Sequence, residues 1–76
     1  MQIEQIKKSI ENNITEAIAI VSSADNIHYE AKVYSPIFSG LSLVKQHQLV
    51  YEAIGPSVGV DIHALALFTT ADREQL

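Results

Sequence analysis

The apolar pattern predicts an α+β chain in the order α-β-β-α-β, with a short closing α as an option, and three observations carry that reading. Isoleucines recur at helical spacing at Ile3, Ile6, Ile10 and Ile14; Tyr29, Ala31 and Val33 alternate with Glu30 and Lys32; a second helical stretch opens at Ser42 and meets Gly55-Pro56. With no linker, repeat or low-complexity tract, residues 1–76 read as a single domain. Helices packed on one face of a three-stranded mixed sheet are its economical architecture.

Each element has a local reason. Glu4, Lys7, Lys8 and Glu11 fill the faces that the isoleucines leave, so residues 2–12 read as an amphipathic helix, and Asn12-Asn13 is a stop. Thr15 to Ser22 is Ala and β-branched residues without a helical stripe, which reads as a buried strand, with helix as the alternative that Ala keeps open. Ser22-Ser23-Ala24-Asp25-Asn26 is turn chemistry, because Asp and Asn bond their own backbone and tolerate left-handed conformations, so the next strand folds back as a hairpin. That strand ends before Pro36, and residues 35–41 read as a loop. Ser42 is an N-cap for a helix whose Val44, His47, Tyr51 and Ile54 share a face, with Leu43 and Val50 beside it. Pro56 ends or kinks that helix, or opens a further turn. Asp61 to Phe68 is the third strand, parallel to its partner because a helix crosses over to reach it, and Thr69 or Thr70 caps a short terminal helix from Ala71.

Composition narrows the function classes. Hydrophobic residues make up 47% of the chain, enough for a small core, and with no Cys there is neither a disulfide nor a thiolate metal site. The longest apolar run, Ala17 to Val21, is too short to span a membrane, and the opening Met1 to Lys8 lacks the apolar core of a secretory signal, so a cytoplasmic location is expected. A formal charge of −4, with five Lys and Arg, argues against tight nonspecific binding to nucleic acid. No Gly-x-Ser-x-Gly elbow or Gly-rich phosphate loop is present, and the carboxylates are scattered, so no enzyme is expected.

The three histidines carry the remaining chemistry. His63 opens the otherwise apolar Ile62-His63-Ala64-Leu65-Ala66-Leu67, where a strand built for burial alone would carry Val or Ile; it reads either as an imidazole satisfied by backbone or as a ligand or acid-base group. His47 on the second helix reads as bonded within its neighbourhood, and His28 as incidental beside a turn, each with a functional alternative. None has an intrachain metal spacing such as His-x3-His.

Phe38-x-Gly40-Leu41-Ser42-x-Val44-x-x-His47-x-x-Val50-Tyr51, followed after ten residues by Ile62-His63-Ala64-Leu65 and then Thr69 or Thr70, resembles the BolA family over nearly the whole chain. The resemblance implies an α-β-β-α-β-α arrangement similar to the class II KH fold. It also implies pairing with monothiol glutaredoxins of the Cys-Gly-Phe-Ser type, in heterodimers that hold a glutathione-bound [2Fe-2S] cluster, for iron-sulfur trafficking or iron homeostasis. The family's C-terminal His ligand falls on His63. Its second ligand, a Cys or His on the loop between the first two strands, has only His28 to take it, at the end of that loop. Asp25 is a nearby donor, but a hard carboxylate suits an iron-sulfur iron less well than imidazole. Two departures stand out: Gln46 occupies a position that is commonly basic in the family, and the terminal segment has no Trp.

Two functions from different classes follow. An adaptor would hold the cluster only with its partner, the isolated chain binding none and standing as a monomer or weak homodimer. A KH-like DNA-binding transcriptional regulator would use Lys32, Lys45 and His47, yet a KH site needs a Gly-x-x-Gly loop, and Ser39-Gly40-Leu41-Ser42 supplies one Gly. A third reading, an interaction domain without a cluster, applies if His63 is buried.

Overall fold

The computed structural model describes residues 2–55 and 64–76. Helix α1 spans Gln2–Asn13, strand β1 Ile18–Ser22, β2 Tyr29–Tyr34, helix α2 Leu43–Ile54 and β3 Leu65–Thr70; short 3-10 turns cover Pro36–Phe38 and Arg73–Gln75. The strands lie in the order β1-β2-β3, with β1 antiparallel and β3 parallel to β2. The helix between β2 and β3 makes that parallel crossover possible, as the element order requires.

The isoleucine stripe does what its spacing predicts. Ile6, Ile10 and Ile14 are buried and Ile3 packs beside them; each fully buried Ile contributes roughly 1.5–3 kcal/mol of hydrophobic stabilisation. They meet Tyr29, Ala31 and Val33 on the inner face of β2 and Phe38, Val50, Ala53 and Ile54 from the connection and α2. Both helices therefore sit on one face of the sheet. Glu11 fastens α1 to the edge of that sheet, accepting hydrogen bonds from Lys7 Nζ and from the Ala19 backbone at 3.0 Å.

Five expectations change in detail. The first strand begins at Ile18 rather than Thr15, because Thr15 and Glu16 make the turn out of α1, with Glu16 at φ 52° and the Ala17 amide bonding Ile14 O at 3.2 Å. That strand is a half-exposed edge rather than a buried strand, since among the described residues only β2 pairs with it and Ile20 stays 48% exposed. On α2 the inward face is Val50, Ala53 and Ile54, with Gln46, Leu49 and Tyr51 half-buried; Val44 and Leu43 in the first turn remain 68% and 61% exposed. In the first turn it is Gln46 that reaches the sheet, accepting from Thr69 Oγ1 at 2.7 Å, while Leu43 and Val44 lie on the exposed side of that turn. Finally, β3 continues through Thr69 and Thr70, both buried, and Asp72 caps the terminal turn by accepting from the Glu74 amide at 3.0 Å. Thr70 instead accepts from the Asp72 amide at 2.9 Å, so threonine braces the cap without being it. Residues 61–63 of the expected strand, and the turn expected at Pro56, lie outside the described residues.

Residues 35–41 do not form a plain loop. Ser35, fully buried, donates to Thr15 O at 2.8 Å and accepts from the Ile37 amide at 3.2 Å, starting the 3-10 turn that drives Phe38 into the core. Gly40 follows at φ 80°, a conformation that any Cβ would strain, and Ser42 then caps α2 by accepting from the Lys45 amide at 3.2 Å.

Candidate functional site

The turn between β1 and β2 is built around one carboxylate. Asp25 accepts from the Ile27 amide at 2.9 Å, the His28 amide at 2.8 Å and His28 Nδ1 at 2.9 Å. Asn26 takes the left-handed conformation, φ 61°, that lets the chain reverse. Ser23 Oγ accepts from the Asn26 amide at 2.9 Å and donates to His28 O at 2.5 Å, and Tyr29 Oη donates to Asn26 O at 2.9 Å. The His28 ring, followed by the His28 and Ile27 backbone amides, holds the Asp25 carboxyl well below the usual carboxylate range.

This arrangement orients an imidazole. An ionised carboxylate can only accept, so His28 Nδ1 carries the proton toward Asp25 and, in the neutral ring, Nε2 keeps its lone pair. The His28 side chain is 75% exposed. Metal-binding histidines commonly donate their other ring nitrogen to a carboxylate in this way, which fixes the tautomer and raises ligand basicity. The turn thus presents a preorganised nitrogen donor, with Asp25 behind it as an orienting group rather than a competing ligand. The sequence shows Asp25 as a nearby donor; its pairing with His28 three residues on emerges only with the folded turn.

Sheet register brings the start of β3 to the same end. Tyr29 pairs with Leu65, so the His28 turn and the chain entering β3 are neighbours. Between them lies an open groove of about 700 Å³, lined by Ser22, Asp25, His28, Glu30, Leu65 and Ala66 among others. His63 lies outside the described residues; it stands two positions before Leu65, which lines this groove. Among the described residues no three His, Cys, Asp or Glu side chains gather as a metal site. The chain has no Cys, so the potential ligand atoms that the described residues bring to this groove are the His28 imidazole nitrogen and carboxylate and hydroxyl oxygens.

The residues considered for nucleic acid do not converge. Lys32 is exposed on the sheet face turned away from the helices. Lys45 is exposed in the first turn of α2, where it shares a shallow hollow of about 350 Å³ with Glu52. His47, half-buried on the same helix, has its Nε2 buried without a hydrogen-bond partner among the described residues. The neighbouring Gln46 is a structural residue. Its Nε2 donates to Leu41 O at 3.0 Å and to Phe38 O at 3.4 Å, while Oε1 accepts from Thr69 Oγ1 at 2.7 Å. It ties the 3-10 connection, α2 and β3 together, a role that spacing alone does not reveal.

Comparison with known proteins places these features in a family. The profile described as BolA-like protein matches residues 2–74. A solved structure of a bolA protein homologue from Coxiella burnetii superposes with a TM-score of 0.73 at 40% identity, covering 93% of this chain and 92% of that one. An uncharacterised protein of Rickettsia prowazekii is 30% identical over 90% of this chain and 87% of its own length. Protein BOLA1, chloroplastic, of Arabidopsis thaliana is 34% identical over 66% of this chain, and the match spans 31% of that longer protein.

Proposed function

Because the chain belongs to the BolA-like protein family, we propose that it is a non-catalytic adaptor which pairs with a monothiol glutaredoxin to hold or pass on a glutathione-bound [2Fe-2S] cluster. The cluster is cargo. Its ligands from this chain are His63 and, through Nε2, His28, while the partner and glutathione supply the thiolates that a chain without Cys lacks. Imidazole is neutral where thiolate is negative, so ligation by His raises the cluster's potential relative to all-Cys coordination. The observation that carries the reading is the His28 imidazole, its Nδ1 held 2.9 Å from Asp25 and its other nitrogen free to ligate, beside the groove where β3 begins.

The nucleic-acid reading has less support. Lys32 and Lys45 lie on different sides of the sheet, Lys45 shares its hollow with an acidic residue, Glu52, and the chain carries a net charge of −4. No helix among the described residues is long and apolar enough to cross a membrane.

The test is anaerobic reconstitution with a monothiol glutaredoxin, glutathione, iron and sulfide, read by visible absorption and circular dichroism. The mixture should develop a cluster spectrum that the isolated chain does not. His63→Ala should change that spectrum and shorten the cluster's lifetime; His28→Ala should do the same to a lesser degree, with heterodimer formation surviving both. Stoichiometric iron and sulfide on the isolated chain, or no cluster with the partner present, would overturn the proposal. A wild-type spectrum and lifetime in His63→Ala would remove that residue from the ligand set.

A further inference from the structure

The side chains on the sheet face turned away from the helices fall into three cross-strand rows; the C-terminal turn covers one end of this face, burying Thr70 beside Asp72 and Gln75, and the other two rows are open among the described residues. From the C-terminal end of β2 the rows are Ile18, Tyr34 and Thr70; then Ile20, Lys32 and Phe68; then Ser22, Glu30 and Ala66. The middle row is bulky and apolar around a cation, with Ile20 48% and Phe68 44% exposed. The last row is small around an anion, and it forms part of the floor of the groove described above. Lys32 and Glu30 make no ion pair among the described residues.

We propose that this face binds a second copy of the chain. Consider a twofold axis lying in the interface, across the strands, between the rows of Lys32 and Glu30. It reverses strand direction and leaves strand order unchanged, so every strand faces its own copy. Ile20 then lies over Ser22 of the partner, Phe68 over its Ala66 and Lys32 over its Glu30, and each contact occurs twice, as an isologous interface requires. Large side chains meet small ones, and each charge meets its opposite. A parallel arrangement would stack Lys32 on Lys32, so the charges also select the direction. Aligned packing of two sheets across about 10 Å accommodates this geometry.

The face is small. Three strands about 4.8 Å apart and the two rows that the axis superposes, about 7 Å apart, give a flat footprint of roughly 200 Å², against about 800 Å² per partner in stable complexes. The dimer is therefore weak and forms at high concentration, with a Kd on the order of 100 µM or above.

Sedimentation equilibrium of the intact chain, without metal or glutaredoxin, from about 10 µM to about 1 mM tests this by mass action. Self-association to a dimer is expected, weakening as salt rises. Lys32→Glu and Glu30→Lys should each weaken it by about tenfold or more, since each creates two like-charge contacts, and the double reversal should restore it to within about threefold. Both positions are exposed, so far-ultraviolet circular dichroism of each variant should match the parent. A monomer throughout, a dimer indifferent to either reversal, or a double variant no better than the singles would overturn the proposal. The cluster reading stands or falls separately, because neither cluster nor partner enters the measurement.

Discussion

The turn at residues 23–28 and the connection at residues 35–42 look alike in sequence and behave oppositely. Each opens on a Ser and carries one left-handed residue, Asn26 at φ 61° and Gly40 at φ 80°. In the first, the side-chain hydrogen bonds run between residues at most five apart, and the product is an exposed imidazole in a fixed orientation. In the second the hydrogen bonds reach across the fold, from the Ser35 hydroxyl to Thr15 O and from its backbone amide to Thr70 O, and Gln46, which holds the Leu41 carbonyl, is itself bonded to Thr69. One segment presents chemistry; the other assembles the core. Changes in the connection should therefore register as lost stability, and changes in the turn as lost function with the fold retained.

The largest expected effect is Phe38→Ala, which empties a fully buried site and should cost about 3–5 kcal/mol in urea unfolding with the slope unchanged. A loss under about 1 kcal/mol would mean that the connection is not part of the core.

Gly40→Val comes next, at about 1–3 kcal/mol, because a β-branched residue is strained at φ 80°. No atom lies within 4 Å of where a Cβ would be, so the cost is conformational and Gly40→Asn should recover most of it. An unchanged melting temperature for Gly40→Val would refute the strain.

Gln46→Leu should cost about 1–2 kcal/mol, since it leaves the Leu41 carbonyl and the Thr69 hydroxyl without their partner. Gln46→Lys keeps a donor for the carbonyl, and the Thr69 hydroxyl can turn to accept, so it should cost less. Equal losses in the two variants would show that packing, rather than hydrogen bonding, explains Gln46.

The smallest global effect belongs to Asp25→Ala. It should leave the melting temperature close to the parent's while the Ile27 and His28 amides lose protection from hydrogen exchange. The pH dependence has a definite sign. The carboxyl's folded value is depressed, so its contribution to holding the turn is whole above the ordinary aspartate value of 3.8 and is lost only as the pH falls below that toward the lowered one. Exchange protection of the turn that fades already between about pH 6 and 5 would contradict the Asp25 assignment.

Much of the turn was legible in the residues because its interactions are local. Asp25 and Asn26 announce a reversal with a left-handed residue, and the alternation from Tyr29 to Val33 marks which side of β2 is buried. The same holds for α1, where four isoleucines state the buried face, and for the Ser42 cap. Reading the turn for chemistry went less far: His28 was visible, but its pairing with Asp25 depends on a backbone path that composition does not specify.

What the amino-acid order determined alone is the succession of elements, the hairpin, the parallel crossover and the candidate imidazoles, because periodicity, caps and turn residues act within a few positions of themselves. Tertiary structure decided which turns of α2 face the core, that β1 is an edge, that residues 35–41 form a buried turn, and that Gln46 bridges three elements. It also placed the His28 turn beside the entry to β3. Those outcomes depend on what residues distant in sequence offer one another once the sheet has closed, and no local pattern of side chains encodes that.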